Sequence, residues 1–325
     1  MAAVIRNAAT EAAPQEEAAY VNHLWSHAAP RISICVPVYR VDAAPLVGAL
    51  SRCSGSALAE LIIYDDGSTE PELTRALHMA ADGAAMAVCI VIASRNAGRA
   101  AARNHAIRHA RADWLLLLDA DMWPDAADFI QGYVAAAQAA GHPALIVGGY
   151  SLKHARQDKK FRLHRWQSLA SECVPASLRG QAPGRYVFSS NVLAHKRVLQ
   201  ECPFDESFTG WGWEDTDWGL RAERDFPVLH IDNTATHLGL DDTTGLMGKY
   251  RKSGGNFNRV ATSHADAFNK TPLMRAARIA RSVPMRGVWR RLFGLAARDP
   301  LGLLPISLRG RALKVWRAFL YAEHV

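Results

Sequence analysis

The chain has 325 residues, 49% of them hydrophobic and 21% charged, which fits one large globular domain or two smaller ones and excludes a disordered or fibrous protein. Its net charge of +7 is unevenly spread: residues 270–325 hold 12 Lys/Arg and 2 Asp/Glu, against 26 and 29 in the remainder. A nearly neutral body excludes a nucleic-acid-binding core, while the basic end is suited to an anionic surface.

Residues 1–30 read as an N-terminal extension, a polar helix or loose arm ending at Pro30. Ile32 to Val38 is a β-branched first strand, followed by a helix from Pro45 to Ser51. Leu61 to Tyr64 is a second strand, running straight into Asp65-Asp66-Gly67-Ser68. A helix over Glu70 to Ala81, a strand over Val88 to Ala93 and a helix over Ala100 to Ala110 come next. Trp114 to Leu118 is an unbroken apolar run, expected to be buried on both faces. Further strands are expected over residues 144–150, 185–193 and 228–231, with a helix over Asp217 to Arg224. Five glycines between Gly239 and Gly255 predict a mobile loop. Alternation of strand and helix predicts an α/β fold with a mostly parallel sheet flanked by helices. Polar groups follow strands two, three and four, at the carboxyl edge where such sheets bind ligands.

Four constellations carry chemistry. Asp119-Ala120-Asp121 offers hard oxygen ligands for Mg²⁺ or Mn²⁺ and a diphosphate, although an acidic turn after a strand reads the same way. Asp65 and Asp66 can accept from a base or ribose, or simply close a turn. Arg95 and Asn96 precede a helix N-terminus that attracts anions, whereas Arg103 further along reads as a solvated helix face. Trp211-Gly212-Trp213-Glu214-Asp215 sets carboxylates against flat apolar walls, where desolvation makes a better general base; the same residues also suit a helix N-cap. His237, after a late strand, is a possible metal ligand beside Asp121.

Taken together, Val36-Pro37-Val38-Tyr39, Asp65-Asp66-Gly67-Ser68, Arg95-Asn96-Ala97-Gly98, Asp119-Ala120-Asp121, Gly210 to Asp215 and His237-Leu238 occur in an order that resembles the family 2 glycosyltransferases of GT-A fold, in the branch with a galactosyltransferase-like C-terminal half. The resemblance implies a nucleotide-diphosphate sugar donor, often a UDP-sugar, and a divalent metal, Mn²⁺ or Mg²⁺. It implies that Pro37, Tyr39, Asp65, Asp66, Arg95 and Asn96 surround the nucleoside and that Asp119 touches ribose or donor sugar. Asp121 and His237 would hold the metal; Trp211, Gly212, Trp213 and Glu214 would meet the acceptor; Asp215 would be the base of an inverting displacement. Trp213 stands where related sequences often carry a second glycine, so the acceptor does not carry over.

The expected organisation is an N-terminal extension (1–30), a glycosyltransferase domain (31–265, with a nucleotide half over 31–125 and an acceptor half over 126–265) and a basic helical tail (266–325). In that tail Trp289, Leu292, Phe293, Leu295, Trp316 and Phe319 alternate with arginines, which suits either a membrane interface or a cap packed on the domain. Five scattered cysteines without a CxxC, no secretory signal pattern and no apolar run of ~20 residues predict a cytoplasmic enzyme, peripheral at most on the inner face of the membrane. The acceptor expected is a glycan or a lipid-linked hydroxyl in bacterial cell-envelope polysaccharide synthesis, with no nucleic-acid partner. The alternatives are a sugar nucleotidyltransferase, disfavoured because Tyr39 to Ala43 is no glycine-rich loop, and a non-catalytic sugar- or nucleotide-binding protein.

Overall fold

The computed structural model describes residues 17–325. The part of the expected N-terminal arm before residue 17 lies outside them. Residues Glu17–Val21 form β1, a strand where a helix or loose arm was expected. It pairs antiparallel with residues 89–93 and caps the sheet edge.

The nucleotide half follows in the expected order: β2 (Ile32–Val38), α1 (Ala44–Ser51), β3 (Ala59–Asp65), α2 (Pro71–Asp82), β4 (Ala87–Ala93), α3 (Arg99–Arg108) and β5 (Trp114–Leu118). Period-2 alternation splits these strands between two cores. Ile32, Ile34, Val36, Leu61, Ile63, Val88, Ile90, Leu116 and Leu118 fill one face. Cys35, Ile62, Tyr64, Cys89, Val91, Leu115 and Leu117 fill the other. Both faces of β5 are therefore dry, as its unbroken apolar run requires.

The chain continues through β6 (Met122–Pro124), α4 (Phe129–Ala140), β7 (Leu145–Val147), β8 (Tyr150–Ser151), α5 (Arg162–Ser171), α6 (Ala176–Arg179), β9 (Asn191–His195) and α7 (Lys196–Glu201). Then come α8 (Glu214–Ala222), β10 (Val228–His230), β11 (Ala235–His237), α9 (Thr243–Lys252), α10 (Gly254–Ser263) and α11 (Ala265–Phe268). The main sheet runs β1-β4-β3-β2-β5-β9-β7-β10, and a small second sheet runs β6-β11-β8. β9 lies antiparallel between β5 and β7, so the sheet is mixed on that side. Its strand begins at Asn191 and not at the expected residue 185, which lies in a single tight helical turn, Pro183–Tyr186.

Two further departures have clear physical causes. The glycine-rich stretch from Gly239 to Gly255 is mostly helical. Asp242 caps α9 by accepting from the Gly245 amide, and Leu246, Met247 and Tyr250 bury one face. The helix expected from Asp217 begins three residues earlier, at Glu214, which lifts Glu214 and Asp215 into its first turn.

The basic end forms α12 (Pro272–Ser282), α13 (Arg286–Arg298) and α14 (Ile306–Tyr321). Leu313, Trp316, Leu320 and Tyr321 of α14 share a core with Leu163, Leu246, Tyr250 and Phe257. Phe319 is also buried, whereas Trp289, Leu292 and Leu295 of α13 are exposed. The aromatic residues of the tail thus divide into an inner set and an outer set. No helix among the described residues is long and apolar enough to cross a membrane.

Candidate active site

The first wall of the site is built by the loops after β2, β3 and β4. Asp65 accepts from the Ser68 amide (2.8 Å) and closes the turn after β3. Gly67 has φ +81°, and a Cβ there would lie 2.6 Å from the backbone of Arg95, so only glycine lets the two loops touch. Asp66 accepts from the amides of Ala97 (2.8 Å) and Gly98 (2.9 Å) and from the Asn96 side chain (2.8 Å). Burial still pushes its carboxyl up, against those amides. Pro37, Tyr39, Asp66 and Asn96 line a cavity together with Arg99, Arg103, Asp119 and Asp121. Of the residues expected around a nucleoside, Asp65 serves the turn and Arg95 is exposed beside the cavity, while Arg99, one helical turn before Arg103, faces into it.

Arg103 is a correction to the solvated-face reading. It is 2% exposed and donates to Asp119 (2.9 Å) and Glu214 (3.4 Å), carboxylates nearly a hundred residues apart. This buried guanidinium joins the two acidic clusters, and both carboxylates hold it firmly charged. Glu214, expected to face acceptor hydroxyls, is itself 7% exposed and spends one oxygen on Arg103.

Asp121 and His237 meet through strand pairing. β11 lies antiparallel to β6 with His237 opposite Met122, and the Leu238 amide donates to the Asp121 carbonyl. His237 Nε2 stands 3.1 Å from Asp121 Oδ2. Burial opposes both charges, but each partner outweighs it: the Asp121 carboxyl is lowered and the His237 ring raised. A Cβ on Gly239 would fall 2.1 Å from Asp121 Oδ2, so glycine there clears room for the carboxylate. A second histidine, His164, stacks edge-on against His237 with centroids 5.9 Å apart. Its Nδ1 accepts from the Asp241 amide, and burial and the His237 charge push its ring down to about 4. Among the described residues no group of three or more His, Cys, Asp or Glu is arranged to hold a metal ion. Asp121 and His237 bring two candidate donor groups side by side, a carboxylate and an imidazole.

The second wall is the turn before α8. Gly210, Gly212 and Trp213 all have left-handed backbone, with φ of +83°, +77° and +79°. For tryptophan this conformation costs about 1–2 kcal/mol, so neighbouring contacts must offset it. The Trp213 ring packs against Phe257 (5.1 Å between centroids) and Phe268 (5.6 Å). Trp211 leans edge-on against Tyr250, with the Lys249 ammonium 5.8 Å from its ring centroid. Asp215 follows, and burial, then the adjacent Glu214 charge, push its carboxyl up to about 7, against the pull of Arg103. Asp119, Asp121, Trp211, Gly212, Trp213, Glu214, Asp215 and His237 all line one cavity.

Against this geometry the family described as Glycosyl transferase family 2 matches residues 33–193, the stretch that carries Asp66, Asn96, Asp119 and Asp121. The chain is a glycosyltransferase. No curated protein sequence matches it. Among solved structures it is similar to the mannosyltransferase PcManGT from Pyrobaculum calidifontis, in complex with GDP-Man and Mn²⁺, at 16% identity and a TM-score of 0.54, over 90% of this chain and 85% of that one. It is also similar to S. aureus TarS 1-349, in complex with UDP-GlcNAc, at 14% identity and a TM-score of 0.50, over 90% of each chain. At such identities the likeness is one of fold, and the fold is the GT-A type that the motifs implied.

Some residues of this glycosyltransferase site carried a weak sequence signal or none. Arg99 and Arg103 share a helix face, a spacing that could have linked them to the cavity. Lys249, Tyr250 and Arg317 line the second cavity from helices beyond the motifs, and only packing brings them there.

Proposed function

We propose that this glycosyltransferase is metal-dependent and inverting, and that it moves a hexosyl or N-acetylhexosaminyl unit from a nucleoside diphosphate sugar, a UDP-sugar first, to a hydroxyl of a glycan or lipid-linked acceptor. The observation that carries this reading is the single cleft in which Asp121 and Asp215 both stand, with Arg103 tying Asp119 to Glu214 between them. In it, Pro37, Tyr39, Asp66 and Asn96 receive the nucleoside, and Arg99 faces the phosphates. Asp121 and His237 hold the divalent cation, which neutralises charge on the departing diphosphate. Asp119, oriented by Arg103, meets the ribose or the donor sugar. The acceptor stacks on Trp211 and Trp213. Its hydroxyl oxygen bonds to the anomeric carbon as the carbon–oxygen bond to the diphosphate breaks, and its proton passes to Asp215. Attack from the face opposite the leaving group inverts the carbon. The complexes formed by the two similar structures, with GDP-Man and Mn²⁺ and with UDP-GlcNAc, support a nucleotide-sugar donor here.

The same reading keeps 31–265 as the catalytic domain, 126–265 as its acceptor half with galactosyltransferase-like character, and 266–325 as the helical end. It assigns the enzyme to cell-envelope polysaccharide synthesis on the cytoplasmic side. The test is nucleoside diphosphate release from a panel of donors with and without Mn²⁺. Asp215→Asn should bind donor normally and lose transfer by about 10²–10⁴-fold. Donor binding without release across the panel would favour the non-catalytic alternative, and near-normal release by Asp215→Asn would remove that residue from the role of base.

A further inference from the structure

Behind the Trp213 wall lies a second chamber of about 580 Å³, within the range of small-molecule sites. Glu172, Phe188, Trp213, Thr216 and Arg317 line both it and the catalytic cavity, so the two share one partition. Apolar side chains such as Leu273 and Val315 form much of its surface. Its charges are three cations, Arg185, Lys314 and Arg317, against the one carboxylate of Glu172.

Arg317 is the unusual member. Its Nε is sealed from solvent and has no hydrogen-bond partner among the described residues. Its guanidinium carbon stands 4.9 Å from the Tyr250 ring centroid and 5.9 Å from that of Tyr321. Among the described residues it forms no ion pair; even Glu172, on the same partition, is not within pairing distance. The fully buried arginines, Arg103 and Arg179, both have carboxylate partners, whereas Arg317 is half-buried and has none among the described residues. A partly desolvated guanidinium without a carboxylate partner is a favourable place for an anion. Its planar fork matches a phosphate or carboxylate.

We propose that Arg317, with Lys314 and Arg185 at the rim, forms an anion subsite for the acceptor: the sugar that presents its hydroxyl to Asp215 carries a phosphate or carboxylate that crosses the Trp213 partition. This rests on the glycosyl-transfer reading and deepens it by naming the acceptor's charge. Arg317 and Lys314 come from α14, beyond the residues matched by the family, while Arg185 lies within them.

The full chain is given its preferred donor and four acceptors with one common sugar: the neutral methyl glycoside, the 6-phosphate, the uronate, and the sugar joined by a phosphodiester to a short prenyl chain. Preference for the charged acceptors over the neutral one by about tenfold or more in kcat/KM is expected. Arg317→Gln should reduce that preference about tenfold, and Arg317→Lys should keep part of it. A further gain for the prenyl phosphodiester assigns the anion to a lipid carrier; equal rates with the 6-phosphate assign it to a soluble or polymer-borne phosphate. Equal use of neutral and charged acceptors by the wild type, or an equal loss toward both in Arg317→Gln, would overturn the proposal. If Arg317→Gln fails to fold, the exposed Lys314→Gln and wild-type inhibition decide: inorganic phosphate must compete with acceptor and not with donor. Should no donor turn over, calorimetry of the 6-phosphate against the methyl glycoside on the wild type still tests the subsite, because that outcome sinks the enzyme reading alone.

Discussion

Asp215 is a carboxyl whose surroundings disagree about its charge. Burial and Glu214 favour the proton, Arg103 opposes it, and the balance lies near 7. A base must be ionised to accept a proton, so kcat/KM should rise with pH through about 7 and level off above it. A flat profile from about pH 5.5 to about pH 8.5 would exclude Asp215 as the base. The linkage has the opposite sign. A carboxyl raised in the folded state stabilises most below its unfolded value and loses that contribution as pH climbs to the folded value. Asp215→Asn should therefore be more stable than wild type at pH 8 in thermal denaturation, which separates loss of the base from loss of the fold. Asp121 depends on a neighbour of a different kind. Gly239→Ala places a methyl against its Oδ2 and should weaken Mn²⁺ binding about tenfold, read by electron paramagnetic resonance in the presence of nucleoside diphosphate. Unchanged affinity would show that Asp121 does not hold the cation. The acidic residues at 119, 121, 214 and 215 were legible as chemistry because each follows or begins a recognisable element. Arg103 was not, because an arginine on a helix reads the same whether it faces water or two carboxylates.

At the scale of elements, β2, β3, β4 and β5 were legible within two residues at their ends, because alternating or unbroken apolar runs leave no other period. The stretch from Gly239 to Gly255 was misleading for the opposite reason. Glycine lowers helix propensity, but one good cap and three buried side chains outweigh it. Asp242→Ala should lower stability by about 1 kcal/mol in chemical denaturation. No measurable change would mean that α9 is held by packing alone. The edge strand β1 could not be foreseen, since Glu17-Ala18-Ala19-Tyr20-Val21 has little β signal of its own. Its backbone pairing with β4 decides its conformation.

At the scale of the molecule, the basic end divides into a buried helix and an exposed one. α14 builds the core behind Trp213, so deleting residues 274–325 would damage the catalytic body. The surface that a peripheral membrane anchor would use is α13, where Trp289 (43%), Leu292 (51%) and Leu295 (56%) are exposed among Arg286, Arg290, Arg291 and Arg298. Such a face fits the interface of an anionic membrane. Leu292→Glu with Leu295→Glu should reduce co-sedimentation with phosphatidylglycerol vesicles several-fold while transfer to a soluble acceptor persists. Vesicle binding equal to that of the wild type would refute a peripheral anchor on this face.

What the sequence determined by itself was the local chemistry: apolar periods that demand a sheet, acidic pairs placed at strand ends, and aromatics beside a candidate base. These are short-range properties, written within a few residues. Tertiary structure alone decided which charges meet. Arg103 reaches Asp119 and Glu214, His237 reaches Asp121, and Arg317 comes to line the cavity of Asp215 from the far end of the chain, because burial selects partners by distance in space and not by separation along the backbone.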